Sequence, residues 1–156
     1  MDSHSFFIPH KKTRKLAGNS FTWNFGTTPI NAENTLFYLN VYQSTGEKSW
    51  SFRGSTGSAE DENNSSLGFS IPYVSDEVMD ASYTMEGGLR FSHIHSIPAP
   101  PGFTGFRVVR ADKADLTIRL DPVKGTAKGH FTALFRTDGY RLNPTGTFEL
   151  IRDDQK

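Results

Sequence analysis

The stretch Asp115-Leu116-Thr117-Ile118-Arg119-Leu120-Asp121-Pro122-Val123-Lys124-Gly125-Thr126-Ala127-Lys128-Gly129-His130-Phe131-Thr132-Ala133 decides the fold class. Leu116, Ile118 and Leu120 alternate with Thr117 and Arg119, the period of a strand with one buried face and one in water. The segment 121–125 places a fixed φ at Pro122 and a conformationally free residue at Gly125, so the chain turns back beside the first strand. In the return strand Ala127, Gly129, Phe131, Ala133 and Phe135 share one side, while Lys128, His130, Thr132 and Arg136 fall mostly on the other. After Asp138-Gly139 and Asn143-Pro144-Thr145-Gly146, the run Thr147-Phe148-Glu149-Leu150 supplies a third strand. The three form an antiparallel meander with its core predicted at Phe131, Phe135, Phe148 and Leu150.

The same reading extends toward the N-terminus. Phe21, Trp23 and Phe25 alternate, and Thr28-Pro29-Ile30-Asn31 breaks that strand. Residues 35–43 are so rich in Phe, Tyr, Leu and Val that both faces read as covered, which predicts a central strand. Ser44-Thr45-Gly46-Glu47 turns the chain into a strand over 48–53, and 54–66, rich in Ser, Gly, Asn and acidic residues, reads as a mobile surface loop. Leu67, Phe69, Ile71 and Tyr73 alternate, with Pro72 predicting an edge strand or a bulge. Strands over 80–85, 89–97 and 104–110 follow, the last two joined by the stiff connector Pro98-Ala99-Pro100-Pro101-Gly102. About ten short strands and no long amphipathic helix predict an all-β, single-domain antiparallel β-sandwich, with a partly closed β-barrel as the alternative. Residues 1–15 read as an N-terminal arm and 16–156 as the domain.

Composition bounds the function. The 156 residues fit one domain, and 13 phenylalanines supply large, flat core side chains. Seventeen basic and 17 acidic residues cancel, so no net field draws the chain to nucleic acid or an anionic membrane. With no cysteine, disulfides, thiolate metal sites and thiol catalysis are excluded, a pattern that fits a reducing cytoplasm and a secreted protein alike. No window is long enough to span a membrane, and Phe6-Phe7-Ile8 is too short for a signal-peptide core, so the chain is expected to be soluble.

His93-Ile94-His95 is the sharpest chemical signal. Residues two apart on a strand share a face about 7 Å apart, so two imidazoles there would converge on a divalent transition metal if a third donor such as His130, Glu149 or Asp115 joined them. The pair lacks the glutamate that completes the metal motif of cupins, because Ala99 and Pro100 occupy its place. Two ordinary histidines on a wet face is the plainer reading. No Gly-x-Ser-x-Gly elbow marks a nucleophile, and Glu60-Asp61-Glu62 lacks the glycine turn and spaced oxygens of a calcium loop.

The expected function is therefore a non-enzymatic binding or interaction protein, with no cofactor, that meets a protein, small-molecule or carbohydrate partner through its end loops. A small metal-dependent enzyme centred on His93, His95 and His130 is the alternative, and a β-barrel carrier of an apolar ligand is the third. Phe103 and Phe106, set beside Gly102 and Gly105 in the proline-rich connector, are the expected anchors. The plainer expectation for Phe103 is a ring that folds inward and plugs one end of the sandwich. Trp50, beside the Ser/Gly/Asn loop and with Phe52 as its clear apolar neighbour along the strand, is the third expected contact.

Overall fold

The computed structural model describes residues 18–155, so the expected arm over 1–15 lies outside the described residues. Eleven strands form among them: β1 (Ser20–Asn24), β2 (Pro29–Asn31), β3 (Asn34–Val41), β4 (Lys48–Thr56), β5 (Ser65–Pro72), β6 (Met79–Thr84), β7 (Arg90–Ile97), β8 (Gly105–Arg110), β9 (Lys113–Asp121), β10 (Thr126–Leu134) and β11 (Thr145–Ile151). They pair antiparallel in two sheets, a six-stranded one ordered β2-β1-β11-β10-β9-β6 and a five-stranded one ordered β3-β4-β5-β7-β8. Neither sheet closes on itself, so the architecture is the sandwich and not the barrel. Among the described residues no helix is long and apolar enough to cross a membrane.

The meander folds as its alternation predicts. Leu116, Ile118, Leu120, Ala127, Phe131, Ala133, Phe135, Phe148 and Leu150 are all buried. Across the interior, the five-stranded sheet lines up Phe37, Phe52, Phe69 and Phe91 in one register row. Their ring centroids stand 4.8, 4.9 and 5.5 Å apart, close to the spacing of adjacent strands, so the rings stack as a ladder. Phe21, Phe131 and Phe148 of the other sheet pack onto that ladder at tilted angles. The core is a filled layer of phenyl rings.

Several expectations fail for identifiable reasons. Residues 28–31 do not merely break a strand: Pro29–Asn31 pairs with β1 as the edge of the six-stranded sheet, an edge position where proline costs no ladder bond. β3 is an edge strand and not a central one. Its outer edge is instead covered by the C-terminal segment: the Phe37 N–H donates to Asp153 Oδ2 (2.6 Å), the Asp153 N–H to the Phe37 carbonyl (2.8 Å) and the Leu39 N–H to Asp154 Oδ2 (2.9 Å). β5, with Pro72, is central and unbulged because Pro72 is its last residue, where the ladder ends opposite Ser49. The predicted loop over 54–66 is shorter, since β4 runs to Thr56 and β5 begins at Ser65.

Candidate functional site

The connector between β7 and β8 is a built turn. The Phe103 N–H donates to the Pro100 carbonyl at 3.0 Å, and Gly102 holds φ at +84°, a value that disfavours any side chain. Pro101 before that glycine fixes the first central dihedral, as a type II turn requires. The turn carries Phe103 outward, and the residue is 73% exposed. Phe103 therefore does not plug the sandwich. Phe106, three residues on, is half-buried on edge strand β8.

Trp50 corrects a second expectation. It is buried and lies inside the five-stranded sheet, with Phe37 and Tyr73 rings 5.8 and 5.9 Å away and the Arg152 guanidinium 4.8 Å over its ring. Its ring partners come from β3 and from Tyr73 just past β5, and the cation over it from the C-terminal segment, so reading its own strand alone misses them. Trp50 thus does not join Phe103 and Phe106 on a surface.

The two histidines share a face, and that face points into the sandwich. His93 is buried with Phe91 of the same strand, not on a wet face, because the alternation that turns Phe91 into the core turns His93 inward too. Its ring lies 5.1 Å from the His95 ring, 5.3 Å from Phe25 and 6.2 Å from Phe135. Nδ1 of His93 meets the Ser66 carbonyl at 2.9 Å, and Nδ1 of His95 meets the Ser96 carbonyl at 3.1 Å. A carbonyl only accepts, so both Nδ1 atoms carry a proton, and in the neutral form of each ring Nε2 is the acceptor. For His95 that nitrogen accepts from the Tyr140 hydroxyl at 2.7 Å. Burial holds the His93 pKa below its ordinary value, with the Ser66 carbonyl opposing the shift and His95 adding to it.

This cluster offers two imidazole nitrogens with their tautomers fixed from behind, the arrangement that metal-bound histidines use. A third donor of the expected kind is not brought to it. His130 is exposed on the outward face of the other sheet, where it stands opposite Thr117 and Thr147; Asp115 and Glu149 are exposed on that same face. Among the described residues no three His, Cys, Asp or Glu side chains are grouped to hold a metal ion. Tyr140, the residue that does reach His95, lies 45 positions away outside the strands, and nothing in its local sequence marks it.

No protein-family model, curated protein or solved structure matches the chain.

Proposed function

We propose that this protein is a non-enzymatic binding module that presents the 98–104 connector to the surface of a protein partner, with Phe103 as the apolar anchor. The observation that carries the reading is the 73% exposure of a phenylalanine held on a hydrogen-bonded proline–glycine turn. An exposed aromatic ring on a stiff loop loses little entropy on contact and buries a large apolar area, the profile of an interface hot spot. The filled phenyl core argues against the apolar-carrier alternative, which needs a lined cavity.

A photo-crosslinking residue placed at 103, compared with one at the equally exposed Val123 in the β9–β10 turn, tests the reading in the source cells. A partner captured from position 103 and not from 123, and captured from a protein carrying the crosslinker at the exposed Thr104 but lost when Phe103→Ser is added to it, is the expected result. Equal capture from both positions overturns it.

A further inference from the structure

The outward face of the six-stranded sheet carries its polar residues in rows. Strand pairing sets Asn31, Thr22, Thr147, His130, Thr117 and Ser82 one after another across β2, β1, β11, β10, β9 and β6. Thr22 is half-buried and the other five are exposed, so the row lies open to solvent. It holds neither a carboxylate nor a lysine or arginine. The adjacent row of Glu149, Lys128, Arg119 and Asp80 carries acids and bases in equal number, so its charges cancel.

The surface is hollowed along the neutral row. A shallow depression of about 340 Å³ is lined by Thr22, Thr147 and His130 together with Asn24, Thr132 and Thr145. A second, of about 490 Å³, takes in Thr117 and Ser82 on the next two strands, so the two lie end to end. Within them the hydroxyls are oriented by their neighbours: Thr22 Oγ1 donates to Asn31 Oδ1 at 2.8 Å, Thr145 Oγ1 donates to Asn24 Oδ1 at 3.0 Å, and the Ser82 and Thr117 hydroxyls stand 3.4 Å apart. A hydroxyl that donates sideways keeps its oxygen as an acceptor, and an amide whose oxygen is engaged has its NH₂ group set as the donor end. Each threonine adds a methyl group beside its hydroxyl.

We propose that this row is the binding groove for an extended, neutral, β-linked glycan chain that runs across the strands. A sugar ring carries hydroxyls that both donate and accept, set around C–H groups, and the acceptors, amide donors and methyl groups of the row match both. Neighbouring strands are about 4.8 Å apart, close to the advance of one sugar along such a chain, so successive sugars meet successive strands. The twist between strands turns the row gradually, which a single twisting chain follows and a flat crystalline surface does not. At the centre, the exposed imidazole of His130 offers a flat face to one ring. A polyanion gains nothing here, because the charges beside the row cancel. This face is separate from the connector, and its role stands or falls independently of it.

The test is a titration of the full chain, its backbone amides followed by NMR, with cellohexaose, β-1,4-mannohexaose, their disaccharides and a hexamer of galacturonic acid. At least one neutral hexasaccharide is expected to shift the amides of Thr22, Thr117, His130 and Thr147 saturably. Its disaccharide, which spans two strands and not six, should bind about tenfold or more weaker, and the acidic hexamer should bind more weakly as well. Thr117→Val combined with Thr147→Val removes the hydroxyls on either side of His130 and keeps their methyl groups. The pair should weaken hexasaccharide binding about tenfold or more, the loss of two neutral hydrogen bonds. Valine favours strands, so the melting temperature should not fall, and Thr147→Val alone carries the test if the double variant fails to fold. Thr126→Val, at the first position of β10, should leave the affinity unchanged. No saturable shift with either neutral hexasaccharide, shifts confined to other faces, a disaccharide or the acidic hexamer binding as tightly, full affinity in the double variant, or an equal loss in Thr126→Val overturns the proposal.

Discussion

The two inward faces of the sandwich solve the same packing problem in opposite ways. In the five-stranded sheet like stacks on like, with Phe37, Phe52, Phe69 and Phe91 in register on four adjacent strands. In the six-stranded sheet two of the large rings sit beside gaps: Phe148 stands opposite Gly129, and Phe131 opposite Gly146. The gaps are filled by those rings, since a Cβ on Gly146 would fall inside the van der Waals contact distance of Phe131 Cζ and of the Thr22 carbonyl oxygen. A ladder gives a continuous flat wall, and rings nested over glycines give knobs that meet it. The difference teaches that Gly129 and Gly146 belong to the packing of the core as much as the phenylalanines do.

The largest expected effect comes from breaking the wall at its centre. Phe69 touches the rings of Phe52 and Phe91 on its own sheet and those of Phe21, Phe131 and Phe148 on the other. Phe69→Ala should cost about 3–5 kcal/mol, and Phe131→Ala should fall in the same range on the opposing side. Chemical denaturation measures both. A loss of under about 1 kcal/mol for Phe69→Ala shows that the wall closes over the gap and that the ladder is not a rigid unit. Filling the socket is the converse experiment: Gly146→Ala should cost about 1–3 kcal/mol through overpacking against Phe131. In the background of Phe131→Leu the penalty should shrink, since the ring that occupies the socket is gone; equal penalties in the two backgrounds place the strain on the Thr22 carbonyl instead.

The contrast also explains what the sequence discloses. β9, β10 and β11 alternate sharply because their outer face meets water, so polar residues mark every second position from Thr117 to Glu149. β3 carries Leu36 and Tyr38 outward and reads as central, although what covers its edge is Asp153 and Asp154, more than a hundred residues away. Period two places His93 and His95 on one face, and Phe91 in the same alternation is the signal that this face is the inner one. Tyr140 carries no such signal, because its contact with His95 joins a strand to a loop 45 positions away. Phe103 sits on a turn whose residues, Pro100-Pro101-Gly102, are plain in the sequence, whereas the outward direction of its ring is not.

A smaller effect separates the two faces by pH. The inward surface of the five-stranded sheet includes His93, and the only histidine of the six-stranded sheet among the described residues, His130, faces outward. Because the folded-state pKa of His93 lies below the ordinary 6.5, the unfolded chain takes up this proton first as the medium is acidified. Stability should therefore be full above pH 6.5, decline as the pH falls through that value, and level once it passes the lowered folded-state pKa. Thermal melts of wild type and His93→Gln over this range, with carboxylate titration common to both, isolate the contribution. A variant with the same acid-side slope as wild type assigns the decline to other groups.

The smallest effect is expected where neither face is involved. Phe103 touches water over 73% of its surface, so Phe103→Ser removes almost no buried apolar area and should move stability by no more than about 0.5 kcal/mol. The turn beneath it survives the change, because its hydrogen bond uses the backbone N–H of residue 103 and its strained dihedral belongs to Gly102. Set against about 3–5 kcal/mol for Phe69→Ala, the same residue type then spans most of the range that single substitutions produce. Side-chain burial alone sets that spread. A melting temperature for Phe103→Ser that drops as far as that of Phe131→Ala shows that the ring folds onto the body in solution, and with it the exposed anchor of the connector is lost.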